Sequence, residues 1–396
     1  MQKKLIHLVC GARPNFMKIA PLYRALKDAD WTNVAIIHTG QHYDYRMSRA
    51  FFEDLDLPEP SVFLSVGTEA KTQGAQTAEV IRQYEAILLD QRPDATIVVG
   101  DVNSTLGAAI AVSKTGTLLA HVEAGLRSFD RGMPEEINRV VVDAISRILF
   151  ASTITAVRNL QNESVEGDIE HVGNVMIDSL VAARETFEKR SPFREYGLRE
   201  KAFGVVTLHR PSNTDNEDRL VEVLGALEDI HREVMPLICP IHPRFQRQLR
   251  SIGLKYPGSK GIVFVEPMAY LDFLATVSKS AFVITDSGGI QEETTFMRIK
   301  CFTLRNSTER PETLTVNGGT NVLMEPGRLK TALEQALGQD GEMRVKLPVF
   351  WDGLATGRII AGLKTALEAD VFPQHAPLRD RGPAMRQDRK VLSLAL

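Results

Sequence analysis

Short apolar runs alternate with longer amphipathic stretches along most of this chain, and that alternation admits few folds. The runs LIHLVC (5–10), VAIIH (34–38), VFLSV (62–66), ATIVV (95–99), TLLAHV (117–122) and TITAV (153–157) form a first series. FGVVTL (203–208), PLICPI (236–241), IVFV (262–265), AFVIT (281–285), KCFTL (300–304) and NVLM (321–324) form a second. Between them lie helix-like stretches such as TAEVIRQYEAILL and RLVEVLGALEDIHREV. Strands that alternate with helices build βαβ units and parallel sheets. Two such series in 396 residues are too much for one ordinary core and predict an α/β protein of two Rossmann-like domains. The expected limits are 1–172 and 173–370, joined near HVGNVMIDSL (171–180), with 371–396 as a basic, proline-broken tail.

The bulk numbers exclude several functions. A net charge of −3 gives no basic excess to neutralise a nucleic-acid backbone, although local clusters of Arg and Lys can still hold a small anion. No apolar run approaches the roughly 20 residues of a spanning helix, so no membrane partner is expected. Cys10, Cys239 and Cys301 lie far apart, with neither a C-x-x-C pair nor metal-ligand spacing. They read as reduced, buried thiols in a cytoplasmic protein without a metal, and the N-terminal MQKKLIHLVCG is too short in apolar residues for a signal segment.

In open parallel sheets, ligands bind beyond the carboxyl ends of the strands. Those ends carry G11-A-R-P-N-F-M-K18, T39-G-Q-H42, G100-D-V-N-S104, H121-V-E-A-G-L-R127, H209-R-P-S212, H242-P-R244 and the Ser287 loop. In the last of these, TDSGGIQEETTF (285–296), Ser287 suits a helix N-cap, and Gly288 and Gly289 let backbone amides approach an anion. The glutamates 292 and 293 begin about one turn further in, where a carboxylate suits ribose hydroxyls, so the stretch reads as a nucleoside diphosphate cradle. It is not a Walker A loop, and no G-x-G-x-x-G occurs in the chain, so no dinucleotide cofactor is expected. In GARPNFMK, Pro14 suits a first helical turn, Arg13 can fork onto a phosphate, and Lys18 lies one turn along.

Three acids stand in apolar surroundings: Asp101 after TIVVG, Glu123 after TLLAHV, and Glu135 at the start of PEEINRVVVDAI. An acid that closes a buried strand finds a partner or shifts its pKa. Each alone reads more simply as structural; Glu135 can pair with Arg139 at i,i+4, and Asp101 can cap a helix. Three in one domain, facing a phosphate-binding second domain, reverse that preference. His209, in TLHRPSN, is placed to touch phosphate or to move a proton.

The motifs GARPNFMKIAPL, TGQHYD, VVGDVNSTLGAAIA, HVEAGLRS, MPEEINR, VTLHRPSN, ITDSGGIQEE and STERPET, in this order, resemble the non-hydrolysing UDP-N-acetylglucosamine 2-epimerases from about residue 5 to residue 365. The resemblance implies the two-domain GT-B fold, a homodimer, an active site in the interdomain cleft, and no cofactor. It implies a route in which UDP leaves C1 while a base removes the C2 proton. A 2-acetamidoglucal then takes a proton on its other face and UDP returns. By motif, Asp101, Glu123, Glu135 and His209 are the implied catalytic residues. Arg13, Lys18, Arg139, Ser287, Gly288, Gly289 and Arg310 are implied on the phosphate or sugar, Glu293 on the ribose and Phe273 on the uracil. Ala75 stands where activated members carry an Arg before Gln-Thr, although Gln41 and His42 are present, which argues against activation by a second nucleotide sugar. Rival readings are the same mechanism on a 2,3-diacetamido uronate, a hydrolysing relative that frees N-acetylmannosamine, a glycosyltransferase, and a nucleotide-sugar sensor.

Overall fold

The computed structural model describes residues 3–40, 52–66, 72–241, 243–251, 253, 262–338 and 343–369, without the side chains of Arg13, Pro243 and Arg244. Gln41, His42, His242 and the tail 371–396 lie outside the described residues. Two parallel sheets organise the chain. The first has strands β1 (Lys4–Cys10), β2 (Thr32–His38), β3 (Val62–Phe63), β4 (Ala95–Val99), β5 (Leu118–Ala124), β6 (Ile148–Ala151) and β7 (Asp168–His171), in the order β3-β2-β1-β4-β5-β6-β7. The second has β8 (Gly204–Thr207), β9 (Leu237–Pro240), β10 (Val263–Val265), β11 (Phe282–Thr285), β12 (Lys300–Thr303) and β13 (Asn321–Leu323), in the order β10-β9-β8-β11-β12-β13. The expected two-domain α/β architecture is therefore present.

The central strands read as unbroken apolar runs because helices cover both sheet faces: every residue of β4 and β5 is buried. In each sheet the strand order reverses once, between β1 and β4 in the first and between β8 and β11 in the second. A crevice opens at such a reversal, since the loops on either side of it leave in opposite directions.

Two strand readings need correction. TITAV (153–157) is not a strand but the start of the helix Ile154–Asn162, capped by Thr153, whose Oγ1 accepts a hydrogen bond of 3.1 Å from Ala156 N. The strand in that region is β6, just upstream. A β-branched triplet imitated a strand, but the local cap decided the matter. VFLSV (62–66) supplies only the short β3; Ser65, with φ +50°, turns the backbone out of the sheet. The polar edge strand β7, DIEH, carries no apolar alternation and escaped the reading.

His171 ends β7, and Asn174 caps the helix Val175–Glu188 by accepting from Met176 N at 2.9 Å. That helix packs against the first domain's helix Arg13–Asp28. So does the far C-terminal helix Ala355–Glu368, whose Ile359 and Leu363 are fully buried in the first domain's core. Asp178 fixes its start by accepting from Ala355 N (3.1 Å) and Thr356 N (2.6 Å). The chain thus passes between the domains twice. At the first passage Gly173 (φ +91°) lies so close to Phe350 that a Cβ would fall 2.1 Å from its carbonyl oxygen.

Leu363→Ala should destabilise the first domain by about 2–5 kcal/mol, the usual cost of emptying a packed leucine site. Urea unfolding followed by fluorescence measures it; an unchanged midpoint would show that the last helix is not part of that core.

Candidate active site

The loops at the two strand-order reversals face each other across a cleft of about 400 Å³, lined from both domains. Its first wall begins after β1. Asn15 Oδ1 accepts from Gly11 N and Ala12 N, each at 3.1 Å, while its Nδ2 donates to Val99 O at 3.1 Å, so one amide ties the β1 loop to the end of β4. Gly11 has no room for a side chain, since a Cβ would lie 2.0 Å from Ser104 Oγ. Lys18, one turn into the helix, turns its buried ammonium onto Glu123 Oε2.

Glu123 adopts φ +75°, a conformation costly for a side-chain-bearing residue, at a slip in register between β5 and β6. The kink delivers its carboxylate to two cations: Lys18 on one oxygen and Arg310 Nη2, from the second domain, on the other at 2.7 Å. Gly100 (φ +67°) makes this possible, because a Cβ there would stand 2.9 Å from Lys18 Nζ. Asp101, at the tip of the same loop, pairs with Arg139 Nη2 at 2.5 Å. Burial opposes its ionisation, but Arg139, Lys18 and Arg310 together hold it below the ordinary carboxylate range.

Arg139 was expected on the substrate. It is buried behind Asp101, forked between that residue and Glu136 (2.6 Å), and is not part of the cleft wall. Nor does it pair with Glu135. Glu136 takes it, and also accepts from Ser128 N, Ser128 Oγ and Phe129 N, each at 2.9 Å. Glu135 is left on the cleft wall without a hydrogen bond or ion pair among the described residues, its charge felt by Arg210. Glu123 sits one layer behind the wall, screened by its two cations.

The second wall is organised by Asp286, which follows β11 and is fully buried. It accepts from His209 N (3.2 Å), Arg210 N (2.9 Å) and Asn213 Nδ2 (3.2 Å), and its Oδ1 lies 2.8 Å from His209 Nδ1. Burial works against its charge, but His209 and these donors keep it low. The His209 ring, half exposed, is thereby held at the cleft. Ser287 occupies the N-cap position of the helix Gly288–Phe296, but its side chain makes no capping bond. The two glycines serve different needs. A Cβ on Gly288 would lie 2.5 Å from Arg310 Nη1 and 2.6 Å from Glu309 Oε1, whereas one on Gly289 would meet nothing nearer than Met176 at 3.7 Å. Gly288 therefore admits Arg310, and Gly289 keeps the cleft face of the helix terminus open to an anion.

Glu292 and Glu293 are both buried and both line the cleft. Burial raises Glu293 to about 8, even though the Tyr270 hydroxyl donates to it at 3.2 Å. Burial likewise raises Glu292 to about 7 against the pull of Arg310, whose Nε stands 3.0 Å away. Phe273 is half buried on an apolar side of the cleft, together with Leu208, Pro240, Ile241 and Met268. The Arg13 side chain lies outside the described residues, so its expected phosphate contact stays a reading of the sequence.

Sequence reasoning passed over Asp286, Glu309, Glu136 and Tyr270. Asp286 was within reach: it closes a buried apolar strand, the criterion that singled out Asp101 and Glu123. Glu309, which pairs with Arg305 Nη2 at 2.7 Å and with Arg310, had no local signal beyond its place in STERPE.

Comparison with known proteins gives a consistent answer. The family model for UDP-N-acetylglucosamine 2-epimerase matches residues 24–364. A UDP-N-acetylglucosamine 2-epimerase of Methanocaldococcus jannaschii is 40% identical over 334 residues, 82% of this chain and 89% of that protein. A UDP-2,3-diacetamido-2,3-dideoxy-D-glucuronate 2-epimerase of Pseudomonas aeruginosa is 38% identical over 363 residues, 89% of this chain and 97% of that one. The crystal structure of the Methanocaldococcus jannaschii UDP-GlcNAc 2-epimerase in complex with UDP-GlcNAc and UDP superposes with a TM-score of 0.82 at 38% identity, covering 91% of this chain and 99% of that chain.

Glu293 yields a pH prediction with a definite sign. The folded protein keeps its proton up to about 8, while the unfolded chain releases it near the ordinary 4.5, so stability is full below that value and falls as pH rises between the two. Glu293→Gln should flatten this part of the pH–stability curve in chemical denaturation; a wild-type slope retained by the variant would assign it to another group.

Proposed function

This chain belongs to the UDP-N-acetylglucosamine 2-epimerase family, and on that premise we propose that it reversibly converts UDP-N-acetylglucosamine to UDP-N-acetylmannosamine without hydrolysis, through elimination and readdition of UDP. The observation that carries this reading is the placement of the acids of one domain against the anion cradle of the other, with Arg310 joining Glu123 to the cradle's own glutamates.

The C2 proton of an N-acetyl sugar lacks an adjacent carbonyl to acidify it, so its removal must be coupled to loss of a good leaving group. In the proposed sequence a carboxylate of the first wall takes the C2 proton. The C2–H electron pair becomes the C1=C2 bond, and the C1–O pair leaves with UDP. The amides of Gly288 and Gly289, with His209, hold the diphosphate while its charge develops; the Ser287 amide is already given to Thr285 Oγ1 at 3.0 Å. Glu293 faces the ribose, and Phe273 the uracil. A second acid then protonates C2 on the opposite face as UDP oxygen re-forms its bond to C1. Asp101, kept ionised by Arg139, and Glu135, without an ion-pair partner among the described residues, are suited to contact the sugar; Glu123, paired with Lys18 and Arg310, stands behind them.

The similarity to the Pseudomonas aeruginosa protein favours a second reading, the same chemistry on a UDP-2,3-diacetamido uronate. Both readings predict C2 exchange but on different sugars, whereas a hydrolysing relative would release free N-acetylmannosamine.

Incubated in heavy water with UDP-N-acetylglucosamine and no added NAD, the protein should place deuterium at C2 of both epimers, as read by NMR. Exchange confined to the uronate would move the assignment to the second reading, and stoichiometric free sugar would show hydrolysis. Glu135→Gln should slow exchange by about 100-fold or more, the lower bound of what one positioned proton-transfer group supplies, while calorimetry finds UDP binding unchanged. An undiminished rate would remove Glu135 from the proton transfers.

A further inference from the structure

Asp101, Glu123 and Glu135 arise from three separate segments, and something must hold those segments in one frame. The imidazole of His121 is fully buried, on β5 two residues before Glu123. Its Nε2 lies 2.9 Å from Gly100 O, and its Nδ1 lies 2.6 Å from Asp143 Oδ1. Asp143 belongs to the helix Pro134–Ile145, the one that carries Glu135. Its other oxygen accepts from Gly125 N (3.0 Å), just past Glu123, and from Arg127 Nη1 (2.7 Å). Arg127 in turn forks onto Glu163 at 2.7 and 2.6 Å. From this geometry we infer that His121 is a positioning residue that, braced by Asp143 of the helix Pro134–Ile145, pins the β4 loop at Gly100 and so fixes Asp101 beside the sugar. The inference rests on the reading of those acids given above.

A buried histidine is often no more than a satisfied core residue, and two details argue for more. The backbones of β4 and β5 are already paired at Val98 and His121, so the sheet does not need the ring. The ring instead holds the carbonyl of Gly100, the left-handed residue just past β4 whose own N–H already donates to Val122 O at 3.1 Å. That carbonyl shares a peptide plane with the Asp101 nitrogen, so holding it fixes the direction in which Asp101 leaves the strand. The same helix closes the loop from the other side: Asn138 Nδ2 donates to Asp101 O at 2.8 Å, and Arg139 holds the Asp101 carboxylate. A carbonyl can only accept, so Nε2 carries a hydrogen; Nδ1 faces a carboxylate that already accepts from Gly125 and Arg127, and it donates as well.

The two amide side chains separate these contacts. In His121→Gln the amide nitrogen stands near the place of Nε2 and can keep the bond to Gly100, whereas in His121→Asn it stands near Nδ1 and cannot. In the full-length protein, C2 deuterium exchange should fall by about 100-fold or more in the Asn variant, the cost of an ångström-scale misplacement, and stay within about tenfold of wild type in the Gln variant. UDP binding by calorimetry should be alike in both and in the wild type, and the two variants should melt together. Equal losses in the two variants, or losses that follow melting temperature or UDP affinity, would overturn the assignment. Absence of exchange in the wild type would instead count against the epimerase reading. If neither variant folds, 15N-histidine NMR of the wild type decides: a solvent-protected ring with hydrogens on both nitrogens is expected, and its absence refutes the clamp.

Discussion

A guanidinium shut between two domains has to be neutralised, and the rest of the site follows from how Arg310 meets that demand. It is buried, with Glu292 and Glu309 of its own domain on one side and Glu123 of the other domain on the far side. A buried charge that loses its only partner typically costs about 3–5 kcal/mol, and Arg310 shares that demand among three carboxylates. The register slip that brings Glu123 across, the glycine at 288 that gives Arg310 room, and the second cation at Lys18 are therefore parts of one arrangement. Replacing it with apolar contacts could give comparable stability, but it would not hold several carboxylates beside the glycine-lined start of the helix Gly288–Phe296.

The same arrangement spreads the acids over a wide range of proton affinity. Asp101 and Asp286 are held low by cations and donors, while Glu292 and Glu293, less well compensated, keep protons to about 7 and about 8. Groups driven apart in this way serve as ionised acceptors and neutral donors at one pH, which suits a substrate presenting both hydroxyls and a diphosphate.

Much of this was legible in the sequence, because the strongest signals were local. Apolar runs fixed most strands, and charge at their carboxyl ends located the cleft, since parallel sheets put their ligands there. Asp101, Glu135, His209, Gly289, Glu293 and Phe273 all lie on its wall. What stayed hidden depends on partners distant along the chain. Arg139 faces inward because Asp101 and Glu136 converge on it, and Glu123 stands behind the wall because Arg310 reaches it from 187 residues away. TITAV was misread as a strand and β7 was missed for the opposite reason: a threonine cap outweighed β-branched propensity in one, and a polar edge strand lacked a period in the other.

Ile359 and Leu363 have a consequence for biogenesis. The first domain's core stays open until these late residues arrive, so it cannot finish folding while the ribosome is still making the second domain. Completion of that core then follows synthesis of the second domain, whose Tyr270, Leu271, Leu274 and Ala275 pack into the same cluster, and the nascent first domain waits with part of its apolar surface bare. Termination between β13 and the final helix would release both halves of the cleft with one of them unsealed.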